Sequence, residues 1–155
     1  MKELNWCKEQ KKGIRFCEPN DNLCKEFFHK AQNALKAMIS LKGNSEWEIS
    51  SAYYAMYFSI YALCLQIGVT CEIHSCTLLL MKTAFKDYFS TKDIQIVHNS
   101  QKARVDLQYY SNRNIANQQK QELLQQAKRI HALCKNISDK LTQENIKTIK
   151  KTIQK

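Results

Sequence analysis

The chain has 155 residues, enough for one domain to bury a core without metal or disulfide support. Three glycines and one proline suit long helices with short connections, and abundant helix formers without alternating strand patterns point to an all-α fold. Lys and Arg outnumber Asp and Glu by 24 to 14, and the resulting +10 favours a polyanion such as RNA, an anionic membrane or an acidic protein partner.

Residues 1–18 form a basic lead in which Leu4, Trp6, Ile14 and Phe16 can pack onto the remainder. Met1 to Lys12 holds no apolar run of the secretory kind. Seven cysteines, at 7, 17, 24, 64, 71, 76 and 134, form no C-x-x-C. The expectation is a cytoplasmic protein with reduced thiols, Cys64 and Cys134 serving as small hydrophobes. Pro19-Asn20-Asp21 reads as a helix start. The helix runs over about 22–41, with the stripe Leu23, Phe27, Ala31, Ala34, Leu35, Met38 and Leu41.

Gly43 is placed to end that helix in a left-handed turn. Ser45 and Glu48 have capping-box spacing at the start of the next helix. In it, Ile49, Tyr53, Met56, Ile60, Leu63 and Ile67 trace one helical face. Tyr54, Phe58, Tyr61 and Leu65 make the opposite side apolar too, so the helix is expected at the centre of a bundle and ends at Gly68. Its tyrosines and serines argue against lipid, where buried hydroxyls lack partners.

A third helix is expected from Ile73 to Phe85 or Phe89. A fourth, capped by Ser90 or Thr91, carries Ile94, Val97, Ala103, Val105 and Leu107 to Tyr110. After a polar connection over 111–117, a fifth spans about 118–141 with Leu123, Leu124, Ala127, Ile130, Leu133, Cys134 and Ile137. Residues 142–155 read as a marginal basic amphipathic extension, anchored only by Ile146, Ile149 and Ile153.

Chemistry concentrates on the fourth helix. Arg104, Asp106, Tyr109 and Tyr110 fall within two turns, with Arg113 just beyond and Gln108 one turn from Arg104. A guanidinium there can clamp a phosphate, and Asp106 can orient an arginine or accept a proton. Alternatively, Asp106 pairs locally with Arg104 or holds a tyrosine hydroxyl. Cys71, His74 and Cys76 match no common zinc spacing, so no metal is assigned. No nucleophile elbow or glycine-rich phosphate loop occurs, and no cofactor is assigned.

The run YYAMYFSIYAL, a glycine, EIHSCTLLLMKTAF and ARVDLQYYSNR resembles the HEPN domain family over roughly Leu23 to Ile137, above all the stand-alone members encoded beside a small nucleotidyltransferase. The resemblance implies an up-and-down antiparallel bundle of four long helices with short extra helices at the ends, one domain over 1–155 with its core at about 22–141. It also implies a homodimer that is the toxin-like or substrate-binding partner of the nucleotidyltransferase in a toxin–antitoxin or defence pair, with RNA as a further partner and no membrane. On that pattern Arg104, Asp106 and Tyr109 are the catalytic candidates, Tyr110 and Arg113 binding candidates, and Tyr109 and Tyr110 modification candidates. His74 would cap the third helix. The alternative is a metal-independent homodimeric ribonuclease with Arg104 at the scissile phosphate. HEPN ribonucleases place a histidine four to six residues after the arginine. Here no histidine follows Arg104 until His131, a departure that leaves enzymatic activity an open question.

Overall fold

The computed structural model describes residues 4–155; Lys2 of the basic lead lies outside the described residues. In chain order come α1 (Leu4–Glu9), β1 (Arg15–Phe16), α2 (Asp21–Ser40), α3 (Ser45–Gln66), β2 (Val69–Thr70), α4 (His74–Thr83), α5 (Thr91–Tyr109), α6 (Asn117–Lys140) and α7 (Gln143–Gln154). The fold is all-α, and its four long helices are α2, α3, α5 and α6.

The expected face of α3, Ile49, Tyr53, Met56, Ile60 and Leu63, is completely buried, as is Ile67 just after it. Helix α2 covers one side most extensively, and α6, α5 and α4 cover the rest. Leu65 is buried as well, while Tyr54, Phe58 and Tyr61 are half-buried. On α2 the innermost line is Cys24, Phe28, Ala31 and Met38, rotated from the expected Leu23–Phe27 stripe. Leu41 instead emerges at the helix end. The stripe of α6 is as expected: Leu123, Ala127, Ile130, Cys134 and Ile137 are buried.

Local signals account for most boundaries. Asn20 caps α2, its Oδ1 accepting from Leu23 N at 2.9 Å. Gly43, with φ +95°, turns the chain between α2 and α3. The cap of α3 corrects the sequence reading: Asn44 occupies the position, its Oδ1 accepting from Trp47 N at 3.4 Å, and Ser45 is already helical. Buried Glu48 does not fold back on the helix end. It accepts from Lys120 Nζ of α6 at 2.9 Å, and the same ammonium donates to Ser45 Oγ at 3.2 Å. An unpaired charge at that depth would be costly, so the ion pair overrides the local cap. Helix α4 ends at Thr83, short of the expected Phe85, whereas Ser90 and Asp93 form a complete capping box at the head of α5.

The basic lead is secured by more than apolar packing. Strand β1 pairs antiparallel with β2, Arg15 opposite Thr70 and Phe16 opposite Val69, a two-residue sheet with no alternating signature in the sequence. Cys17 N donates to Gly68 O at 3.0 Å, and Gly68 has φ +75°, which favours glycine there. Ile14 and Cys7 are buried, while Trp6 and Phe16 stay partly exposed. Cys7 is joined to Cys76 of α4 by a disulfide, which corrects the expectation of reduced thiols throughout. Odd count and irregular spacing conceal the pair, because the partners lie 69 residues apart and meet only when the lead folds across α4. The other described cysteines are free thiols.

The C-terminal extension is also more than marginal. Thr142 and Asn145 form a capping box for α7, and Ile146, Ile149 and Ile153 are buried in the common core, the helix lying against α4. Removing Glu144 to Lys155 should therefore cost several kcal/mol, each isoleucine contributing about 1.5–3 kcal/mol. Urea denaturation of the truncated chain checks this, and a midpoint equal to that of the full chain would place α7 outside the core. The buried ion pair predicts a sign difference. Glu48→Ala alone should destabilise by about 3–5 kcal/mol, whereas Glu48→Leu with Lys120→Met should be far milder, since no charge is left unpaired.

Candidate functional site

The site takes shape where the second half of α5 crosses the first half of α3. The capping box fixes the start of α5, and Asp93 also accepts from Arg129 Nη2 of α6 at 2.5 Å. Burial alone would raise the Asp93 carboxyl, but hydrogen bonds from Ser90 and Arg129 outweigh it and hold the group below its ordinary value. Near the other end, Gln108 Nε2 donates to Ser50 Oγ of α3 at 2.9 Å. Gln108 therefore anchors α5 to α3 rather than serving Arg104.

Between these anchors Arg104 is half-buried, its guanidinium carbon 5.4 Å from the centre of the Tyr53 ring and 5.1 Å from that of Tyr54. Cation–π attraction of this kind contributes about 0.5–2 kcal/mol. Arg104 Nε is buried without a hydrogen-bond partner, and Arg104 has no carboxylate ion pair among the described residues. Tyr53 connects onward to His74, with Oη 2.7 Å from Nδ1. The His74 ring stacks on Tyr57 at 4.0 Å between centres. Burial lowers the His74 pKa, and the Arg104 charge lowers it further, so the imidazole is neutral at neutral pH. Burial drives the Tyr53 and Tyr57 phenols above their ordinary value, and both remain protonated.

The expected cap at His74 does not form. Ile73 holds the N-cap position without a side-chain bond, and the imidazole turns sideways into the tyrosines. Stacking and the Tyr53 bond satisfy the ring there, which a solvent-facing cap would not. Cys76, two residues on, is committed to its disulfide, and among the described residues no group of three or more His, Cys, Asp or Glu side chains is arranged to hold a metal.

The sequence-selected residues divide into groups. Asp106 forms an ion pair with Arg113 rather than with Arg104. The Arg113 guanidinium also lies 3.9 Å over the Tyr110 ring, linking the three around the helix end. Tyr109 is 70 % exposed and Tyr110 is 45 % exposed. Arg104 turns the other way, onto α3. What the sequence did not display is the platform of Tyr53, Tyr54 and His74, because its members come from two helices and face an arginine on a third. The run YYAMY signals a buried helix but not which cation its rings will face. His98, also on α5, is exposed.

The family model for the HEPN domain matches residues 24–137. The chain belongs to the HEPN domain family. A comparison with curated proteins finds no match. No helix among the described residues of this HEPN chain is long and apolar enough to cross a membrane.

The environments of His74 and His131 set a pH dependence. Burial lowers both pKa values, with Arg104 adding to the effect at His74 and Lys135 at His131. The folded state therefore binds protons less readily than the unfolded chain, and stability should fall as pH drops from about 7.5 to about 5. Thermal melts across that range should show the decline, and His74→Asn should make it shallower. An unchanged slope in His74→Asn would mean that His74 is not held neutral by the fold.

Proposed function

We propose that this HEPN chain is the toxin-like, phosphate-binding half of a toxin–antitoxin or defence pair, acting as a homodimer on RNA and controlled by a small nucleotidyltransferase. The observation that carries the reading is Arg104. A half-buried guanidinium resting on two tyrosine faces with no carboxylate pair is ready for an incoming anion. The net charge of +10 supports a polyanion, and exposed Tyr109 beside Tyr110 offers faces for base stacking. Arg113 balances Asp106, so the carboxylate nearest in sequence to Arg104 does not neutralise it. The hydroxyl of Tyr109 is the acceptor best exposed for nucleotidyl transfer by the partner, with Tyr110 next.

A second reading, a metal-independent ribonuclease with Arg104 at the scissile phosphate, draws support from His74. This neutral imidazole shares the Tyr53–Tyr54 platform with Arg104, although nothing in the spacing after Arg104 suggests a histidine. Acid–base work on RNA needs such a group.

Arg104→Ala tests the reading directly. The variant should lose at least about tenfold in affinity for single-stranded RNA of any sequence, and the salt dependence should weaken by about one phosphate contact. Its melting temperature should change little, since cation–π contacts contribute only about 0.5–2 kcal/mol. Filter binding at several salt concentrations supplies the measurement. Unaltered RNA affinity would remove Arg104 from the functional surface and the RNA reading with it.

A further inference from the structure

On another side of the bundle, α2, α3 and α6 border a half-open cavity of about 500 Å³, within the range of small-molecule sites. Two of its lining residues, Gln66 and His131, each carry an acceptor. Gln66 Nε2 donates to Ser138 O at 3.0 Å, while Gln66 Oε1 is buried with no partner. Ser59 Oγ donates to Ala55 O at 2.7 Å and lies 2.8 Å from His131 Nδ1. Because Ser59 has one proton and directs it at Ala55, Nδ1 of His131 must be the donor in that contact. Burial and Lys135 keep the imidazole neutral, leaving its Nε2 as an acceptor. A ligand that satisfies both acceptors carries N–H or O–H donors.

The lining charges narrow the choice. Helix α2 contributes Asp21 and Lys25, and α6 contributes Lys135 and Asp139, each couple one turn apart. None of the four forms an ion pair among the described residues. Burial pushes the Cys24 thiol up to about 11, so it adds no charge at neutral pH. Two cations and two anions around one cavity disfavour a bare polyanion or polycation, and match a molecule bearing one of each.

We propose that this cavity binds a small zwitterion of the α-amino-acid class, its ammonium donating to Gln66 Oε1 and His131 Nε2 and its carboxylate facing Lys25 and Lys135. The site is separate from the Arg104 platform and does not depend on the RNA reading. Calorimetric titration of the full chain with each natural L-α-amino acid at millimolar concentration tests it. At least one should bind saturably, and its decarboxylated amine and its deaminated acid should each bind at least about tenfold more weakly, having lost one set of charged hydrogen bonds. Gln66→Leu should weaken binding by about tenfold. The exposed substitution Lys135→Gln, which leaves the core intact, should weaken it several-fold. Saturable binding to none of the amino acids, equal binding of the amine or acid analogue, or unchanged affinity in Lys135→Gln would each overturn the proposal.

Discussion

Everything in this molecule depends on α3 having nowhere to face water. Its stripe from Ile49 to Leu63 is fully buried, and even its tyrosine side is half-covered. Removing this apolar surface from solvent requires neighbours on every side, which is why α2, α4, α5 and α6 all pack against one helix. The peripheral elements finish the enclosure. The lead is held by β1 pairing and by the bond from Cys7 to Cys76, while the isoleucines of α7 close over α4.

A helix so largely enclosed has to place its polar side chains, and α3 carries many. Several become links to its own backbone or to a neighbour: Glu48 to Lys120, Ser50 to Gln108, Tyr53 to His74, Ser59 to Ala55 and His131, and Gln66 through Nε2 to Ser138. Buried polar groups are costly when unsatisfied and specifying when satisfied, so these links determine how α4, α5 and α6 are set around the centre. The candidate site arises from the same requirement. Buried Tyr53 and half-buried Tyr54 meet α5, and the cation that settles on them is Arg104.

The incomplete HEPN ribonuclease motif takes on a different meaning in three dimensions. A histidine a few residues after Arg104 would lie on the same helix. A neutral imidazole comes from α4, across the tyrosines, and its pKa is lowered by burial and by Arg104 itself. Meanwhile Asp106, Tyr110 and Arg113 satisfy one another at the helix end. One stretch of α5 thus serves two directions, inward to a platform and outward to an exposed aromatic edge.

Helical periodicity determined the all-α class, the central position of α3 and the buried line of α6, and capping residues determined the starts of α2 and α5. These follow from interactions within four residues, such as Asn20 to Leu23 or Ser90 to Asp93. Residue type and resemblance singled out Arg104, but not the two α3 tyrosines it lies over. What tertiary structure decided was partnership. Glu48 leaves its capping box for Lys120, 72 residues away, because a buried carboxylate needs a counter-charge more than a helix end needs a cap. Cys7 finds Cys76, Asp106 takes Arg113 rather than Arg104, and His74 turns from a cap into a stacked ring. The same distance effect makes the three isoleucines of α7 part of the core, since only their burial against α4 gives a short helix its stability.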